Sequence, residues 1–344
     1  NNAYMTMTTW VDDVAVCYDN EGEWQSTYRK MKSKYPIGEL GPLNWHLGMQ
    51  VTIGSNYVEL SLAKYIHDML SAFNLSERPG KKTPLSESFK TGKHHCPQTA
   101  ADRERVKGKP YRELLGSLMY VMLWGRPDIA TSVSMLAQFQ NNPGIVHWHA
   151  VVHVALYLKS SIFKCLRYAA IAGGGSDLHG YVDADYSSGD PDGMYSRTGY
   201  ILYAGGGPII WRSTLQTIVA QSSCESEFIA LNAIARECEW TRVVYNELFK
   251  GVFDQENSAA VPVFADNAGA NSLATSFMIN KRSKHFRVRL YYVRQQVQDG
   301  VMQVVKVGTA SNVGDGFTKL LGPQKFIKFR DEVVFSPVIA PSLD

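Results

Sequence analysis

Residues 180–231 read GYVDADYSSGDPDGMYSRTGYILYAGGGPIIWRSTLQTIVAQSSCESEFIAL, and this stretch decides the fold class. From His179 the pattern is strand, turn, strand, turn, strand, with Gly205-Gly206-Gly207 as a hairpin turn. That glycine run lacks a following Lys-Ser/Thr, so it does not read as a phosphate cradle. A long helix over 223–249 follows, then a strand over 261–265, helices, a strand over 302–307 and a final helix. Strands first and helices interleaved later make the chain α+β or α/β, with a mixed sheet flanked by helices.

Working outward, Gly173 to Gly175 is a break where the character of the chain changes. We place there the boundary between an N-terminal unit, residues 1–172, and a C-terminal unit, residues 176–325, with 326–344 as a tail. Met5 to Tyr18 reads as strand, acidic turn, strand, with Asp12 and Asp13 at the tip. Glu23 to Lys34 suits a helix, Trp45 to Ile53 a strand, and Gly54-Ser55-Asn56 a turn into a second strand, Tyr57 to Ser61. Ala63 to Phe73 has helical spacing, whereas residues 76–109, with Pro79, Pro84, Pro97 and unpatterned Lys and Arg, read as a basic connecting segment. Tyr111 to Gln140 predicts two helices joined sharply at Gly125-Arg126-Pro127-Asp128, and Val146 to Ser160 a further helix.

Composition narrows the classes. With 344 residues, 45% hydrophobic and 19% charged, the chain is long enough for two folded units and is not a disordered tail. The longest apolar run, Leu114 to Trp124, is far shorter than the roughly 20 residues a bilayer needs, so no membrane association is expected. Asn1 to Thr9 lacks a signal peptide's basic flank and apolar stretch, and the first residue is not Met, so the chain reads as a fragment. A net charge of +3 does not mark a nucleic-acid binder, so any such footprint is local. Five cysteines without a CxxC pair argue for reduced thiols, and hence for a reducing, intracellular setting.

Four acidic points stand out. Alternation puts Tyr181, Asp183 and Asp185 on one strand face. Glu225 and Glu227 open the long helix about 200° apart, so only one can face a given cleft, and geometry does not choose between them. Asp266 ends an apolar strand, where α/β sheets place ligand sites, and Asp315 follows Asn312-Val313-Gly314. Each alone reads as a cap or turn residue. Together, with no His or Cys spaced to join them, they suit Mg²⁺. Two such ions about 4 Å apart support phosphodiester hydrolysis. His147, His149 and His153 lack a further spaced ligand and are not read as a metal site.

The stretch 180–231, with VFADNAGANSLA (263–274), RSKHFRVRLYYVR (282–294) and NVGDGFTKLL (312–321), resembles the ribonuclease H domain of copia-type LTR retrotransposon polyproteins. The resemblance implies that Asp183, Glu227, Asp266 and Asp315 bind the metals and form the catalytic set, and it selects Glu227 over Glu225. It places His285 in a basic loop that assists product release. The sequence departs from the family in Gly314 and Gly316 around Asp315, in Arg287 and in Gly308. The N-terminal half is similar to the same family's reverse transcriptase. WVDD (10–13) looks like its acidic turn, GELGPLNWHLGMQV (38–51) like the segment that grips the primer, and YRELLGSLMYVMLWGRPDIA (111–130) like its connection. Asp12 and Asp13 are then two of three polymerase carboxylates, the third lying on a strand upstream of Asn1, and Trp10 replaces the usual Tyr.

The fold so implied is a truncated reverse-transcriptase palm, thumb and connection followed by a ribonuclease H-like sheet. The expected activity is RNA–DNA hybrid cleavage with two Mg²⁺, or Mn²⁺, and no polymerisation by this chain alone. Expected partners are an RNA–DNA hybrid or other nucleic acid, and a separate N-terminal polymerase fragment. Lys81-Lys82, Arg103, Arg105, Lys107, Lys109, and Lys281, Arg282, Lys284, Arg287 and Arg289 are the expected phosphate contacts. Two other readings stand beside it: a decayed product that binds nucleic acid without cutting, and the C-terminal part of a complete RNA-directed DNA polymerase.

Overall fold

The computed structural model describes residues 4–39, 41–169, 177–187, 194–248, 259–275, 287–339, 341 and 343. The boundary expected at 173–175 lies outside them. Strands β1 (Met5–Trp10) and β2 (Asp13–Tyr18) form a two-stranded antiparallel hairpin with Trp10 opposite Asp13. Its turn holds Val11 at φ 55° and 93% exposed, an unusual conformation for a β-branched residue. Helix α1 (Glu21–Lys32) follows, capped by the Asn20 side chain, which accepts from the Glu23 N–H.

The single strand expected over 45–53 is broken. Leu47 and Gly48 take positive φ, so β3 (Trp45–His46) folds back on β4 (Met49–Ile53). A Leu in left-handed conformation is not readable from apolar patterning. Strand β5 (Tyr57–Ser61) pairs with β4 as expected, and β6 (Leu166–Ala169) completes a four-stranded antiparallel sheet. Helix α2 (Ala63–Ala72) leads into the basic segment, which itself contains a helix, α3 (Ala100–Val106). A capping box starts it: the Thr99 hydroxyl accepts from the Asp102 N–H and the Asp102 carboxylate from the Thr99 N–H.

Helices α4 (Tyr111–Trp124), α5 (Ala130–Ala137) and α6 (Ile145–Ser160) build the first core with Ile66 of α2, around Leu114, Leu118, Val133, Val151 and Leu158. The sharp join before α5 is pinned by Arg126, which is fully buried. Its guanidinium donates twice to Asp128, at 2.9 and 2.7 Å, and to the Ser161 carbonyl and hydroxyl. A buried charge is tolerable only when paired and hydrogen-bonded, and here every direction is occupied.

The second half holds a five-stranded mixed sheet. Strands β7 (His179–Asp185), β8 (Arg197–Ala204) and β9 (Gly207–Leu215) form an antiparallel meander, turned between β8 and β9 by Gly205 and Gly206 at positive φ. Helix α7 (Ser223–Leu248) crosses to β10 (Val261–Ala265), which is parallel to β7. Then come α8 (Ala268–Thr275), α9 (Arg287–Gln298) and β11 (Met302–Lys306), parallel to β10, giving the order β11-β10-β7-β8-β9. Val182, Ala184, Leu202 and Val263 pack on α7 and α9 in the second core. Ile201 and Tyr203, on the opposite face, join the first core.

The chain closes with the short α10 (Asp315–Thr318) and α11 (Pro323–Val333). Phe326, Phe329 and Val333, spaced along one face of α11, enter the first core, and the Phe326 ring centroid lies 5.3 Å from that of Tyr157. The segment read as a tail from 326 therefore begins inside a helix packed on the N-terminal half. Among the described residues no helix is long and apolar enough to cross a membrane.

Candidate acidic site

Parallel pairing of β7 with β10 brings two strand ends together, and the N-terminal turn of α7 reaches the same point. Asp183 from β7 is 3% exposed, Glu227 from α7 is 9% exposed, and Asp266 follows β10 directly. One carboxylate oxygen from each lies within 4.8 Å of the others, the single such group of His, Cys, Asp or Glu among the described residues. The choice left open in the helix is resolved here. Glu227 joins the cluster, while Glu225 accepts from the Gln221 N–H at 2.8 Å and so serves the helix entry.

Asp315 stands beside this group and outside it. It opens α10 and pairs with Lys319 at 2.9 Å, one turn on. The α10 segment is tied to β7 at several points. Thr318 Oγ1 donates to Asp183 Oδ2 at 2.5 Å, Asn312 Nδ2 donates to the Val182 carbonyl at 3.0 Å, and Asn312 Oδ1 accepts from the Gly314 N–H. Such close approach needs glycine. A Cβ on Gly199 of β8, the register partner of Asp183, would lie 2.6 Å from Phe317 Cβ, and one on Gly314 would lie 2.9 Å from Asp183 Cβ. At Gly316 it would lie 2.2 Å from the Phe329 ring. The glycines around Asp315 thus answer to contact with β7 and α11, not to helix propensity.

Asn312, Thr318 and Lys319 have no assigned role in the sequence reading. Their signal is spacing: Thr and Lys three and four residues after Asp315 share its helical face. His285, with Lys281, Arg282 and Lys284, lies outside the described residues. Asp12 and Asp13 sit exposed at the β1–β2 turn and belong to no described group of three acids.

The electrostatics of the group are those of an under-compensated anion site. Burial, reinforced by the charges of Asp183 and Asp266, pushes the Glu227 carboxyl up to about 9. Burial also raises Asp183 to about 7; the Thr318 hydrogen bond opposes this and the neighbouring Asp315 adds to it. For Lys319 burial alone would lower the pKa, but the bond to Asp315 and the charges of Asp183, Asp315 and Asp185 hold it above its ordinary value. An all-oxygen donor set of two buried carboxylates and a half-buried one fits a hard divalent cation such as Mg²⁺ or Mn²⁺. Asp183, Glu227 and Asp266 are the residues able to hold one.

No family profile matches the chain. It is 34% identical over 329 residues to the retrovirus-related Pol polyprotein from transposon TNT 1-94 of Nicotiana tabacum, covering 94% of this chain and 24% of that protein. To the Pol polyprotein from transposon RE2 of Arabidopsis thaliana it is 29% identical over 327 residues, covering 95% of this chain and 21% of that one. A putative transposon Ty5-1 protein of Saccharomyces cerevisiae aligns at 28% identity over 237 residues, 67% of this chain and 73% of its own length. The chain belongs to the copia-type retrotransposon Pol polyproteins. It spans about a quarter or less of the first two relatives.

Proposed function

We propose that this chain is a metal-dependent ribonuclease acting on RNA–DNA hybrids, joined to a reverse-transcriptase segment that helps hold the duplex. The observation that carries the reading is the convergence of Asp183, Glu227 and Asp266, from three separated segments, within 4.8 Å. Convergence of like charges, two of them buried, is costly, and a bound cation would offset that cost. Asp183, Glu227 and Asp266 would hold divalent ions that would lower the pKa of an attacking water and offset charge on the leaving oxygen.

The chain's own groups do the rest. Asp183, Glu227 and Asp266 provide the ligating oxygens, and Thr318 engages one oxygen of Asp183 and leaves the other for ligation. Lys319 pairs with Asp315 beside the group and brings positive charge to Asp183 and Glu227. Hybrid choice would come from duplex shape and 2′-OH contacts, not from base reading.

The test is a labelled RNA–DNA hybrid with Mg²⁺, beside single-stranded RNA and double-stranded DNA, for the parent, Asp183→Asn and Glu227→Gln. Hybrid-selective cleavage lost in both variants is expected. A folded parent that cuts nothing would overturn the reading in favour of a chain that binds without catalysis.

A further inference from the structure

The N-terminal half meets the supports of the acidic site through a polar seam. Helix α5 presents two hydroxyls one turn apart, Thr131 and Ser134, on the side that meets the second half. Thr131, 5% exposed, donates from Oγ1 to the Gly316 carbonyl at 2.7 Å. Ser134 Oγ accepts from Arg197 Nη1 at 2.8 Å. Both recipients belong to the site's supports. Gly316 follows Asp315 in α10, and Arg197 starts β8 directly opposite Asp185, two residues beyond Asp183.

We infer that α5 sets the geometry of the acidic site from the N-terminal half, with Thr131 a positioning residue for the 315–318 turn. The inference rests on the metal-dependent reading above. In a helix of four residues the Asp315 carbonyl accepts from the Lys319 N–H, whereas the Gly316 carbonyl lies beyond the reach of the helix's own ladder, and Thr131 supplies its donor across 185 residues of sequence. The turn so held carries Thr318, whose hydroxyl reaches Asp183, and Asp315, which pairs with Lys319. Simple adhesion between the halves would be served by small apolar side chains. A buried Thr131 hydroxyl and a half-buried Ser134 hydroxyl instead fix one register, because a slipped contact leaves each donor or acceptor unpaired. Phe329 packs against the Gly316 backbone from the other side, so the turn lies between α5, α11 and β7.

The test uses the full chain and its Thr131→Val, Thr131→Ser and Ser134→Ala variants. Mn²⁺ binding is measured by calorimetry, hybrid cleavage is followed across Mg²⁺ concentrations, and melting in EDTA checks folding. Thr131→Val is expected to weaken Mn²⁺ binding about fivefold, the worth of one neutral hydrogen bond. The Mg²⁺ requirement for cleavage should rise more than the rate at saturating Mg²⁺ falls. Thr131→Ser restores the parent's values. If Thr131→Val does not fold, Ser134→Ala carries the test, with weaker Mn²⁺ binding expected there too. Parent-like Mn²⁺ affinity in the folded variants, or failure of Ser to rescue, overturns the inference and leaves the nuclease reading standing. A parent that binds no Mn²⁺ overturns the metal-dependent reading itself, and the inference with it.

Discussion

Replacing Glu227 by Gln keeps the side chain's shape and removes the charge that burial and its neighbours oppose. On folding, this carboxyl is pushed from 4.5 up to about 9. An acid raised on folding loses its proton first in the unfolded chain, so the folded state loses stability as pH climbs from 4.5 towards 9. At pH 7.5 the unfolded chain has been favoured over roughly three pH units, and at about 1.36 kcal/mol per unit the ceiling is roughly 4 kcal/mol. The amide removes this penalty but accepts less well from the Ala184 N–H, so a net gain of about 2 kcal/mol is expected. Urea denaturation in EDTA measures it. The variant should be more stable than the parent at pH 7.5, with the advantage shrinking at pH 5. In Mg²⁺ the order should reverse, because only the parent gains the full binding energy of the ion. A variant less stable than the parent in EDTA at pH 7.5 would refute the picture of crowded, under-compensated carboxylates.

Other perturbations probe the frame around the site. Arg126→Met strands Asp128 in the first core, and a loss of about 3–5 kcal/mol in urea denaturation is expected. Gly199→Ala forces a Cβ against Phe317, so a loss of about 1–3 kcal/mol should come with weaker Mn²⁺ binding, read by calorimetry. Burial, aided by His95 and His94, pushes the His147 ring down to about 4. Its NMR signals should therefore show a neutral ring at pH 5, and the contribution it makes above pH 6.5 should fade as pH drops from 6.5 towards 4.

The second half was the more legible in sequence, because its strands alternate cleanly and its turns carry glycine. The strand at 261–265 and the long helix from 223 appear where periodicity puts them. The N-terminal half hid more. Leu47 adopts a backbone conformation that apolar patterning does not signal, so one expected strand became a hairpin. Within the basic segment, Thr99 and Asp102 spell a capping box that three prolines and scattered lysines obscured. At the site, residue type and strand position pointed to Asp266 and to Asp183 and Asp185 together; the family resemblance took Asp183 and Glu227, whereas 200° of helical rotation alone does not rank Glu225 against Glu227. Asp315 was read as an equal member of the set. Its pair with Lys319 follows from i,i+4 spacing, but its place beside the group of three depends on how α10 docks, which no local pattern encodes.

The seating of α11 has a consequence for how the chain is made. Cys165 exchanges backbone hydrogen bonds with Phe335, and Glu59 accepts from Arg167 and from the Val338 N–H, so the first sheet is also secured by residues near the far end of the chain. During vectorial synthesis the N-terminal helices emerge long before the helix that seals their core, and they wait with an apolar notch beside Tyr157 open to solvent. The two halves are in this sense not beads on a string: a ribosome stalled, or a protease cutting, ahead of residue 323 leaves the first half unsealed, and chaperone capture or aggregation is its expected fate.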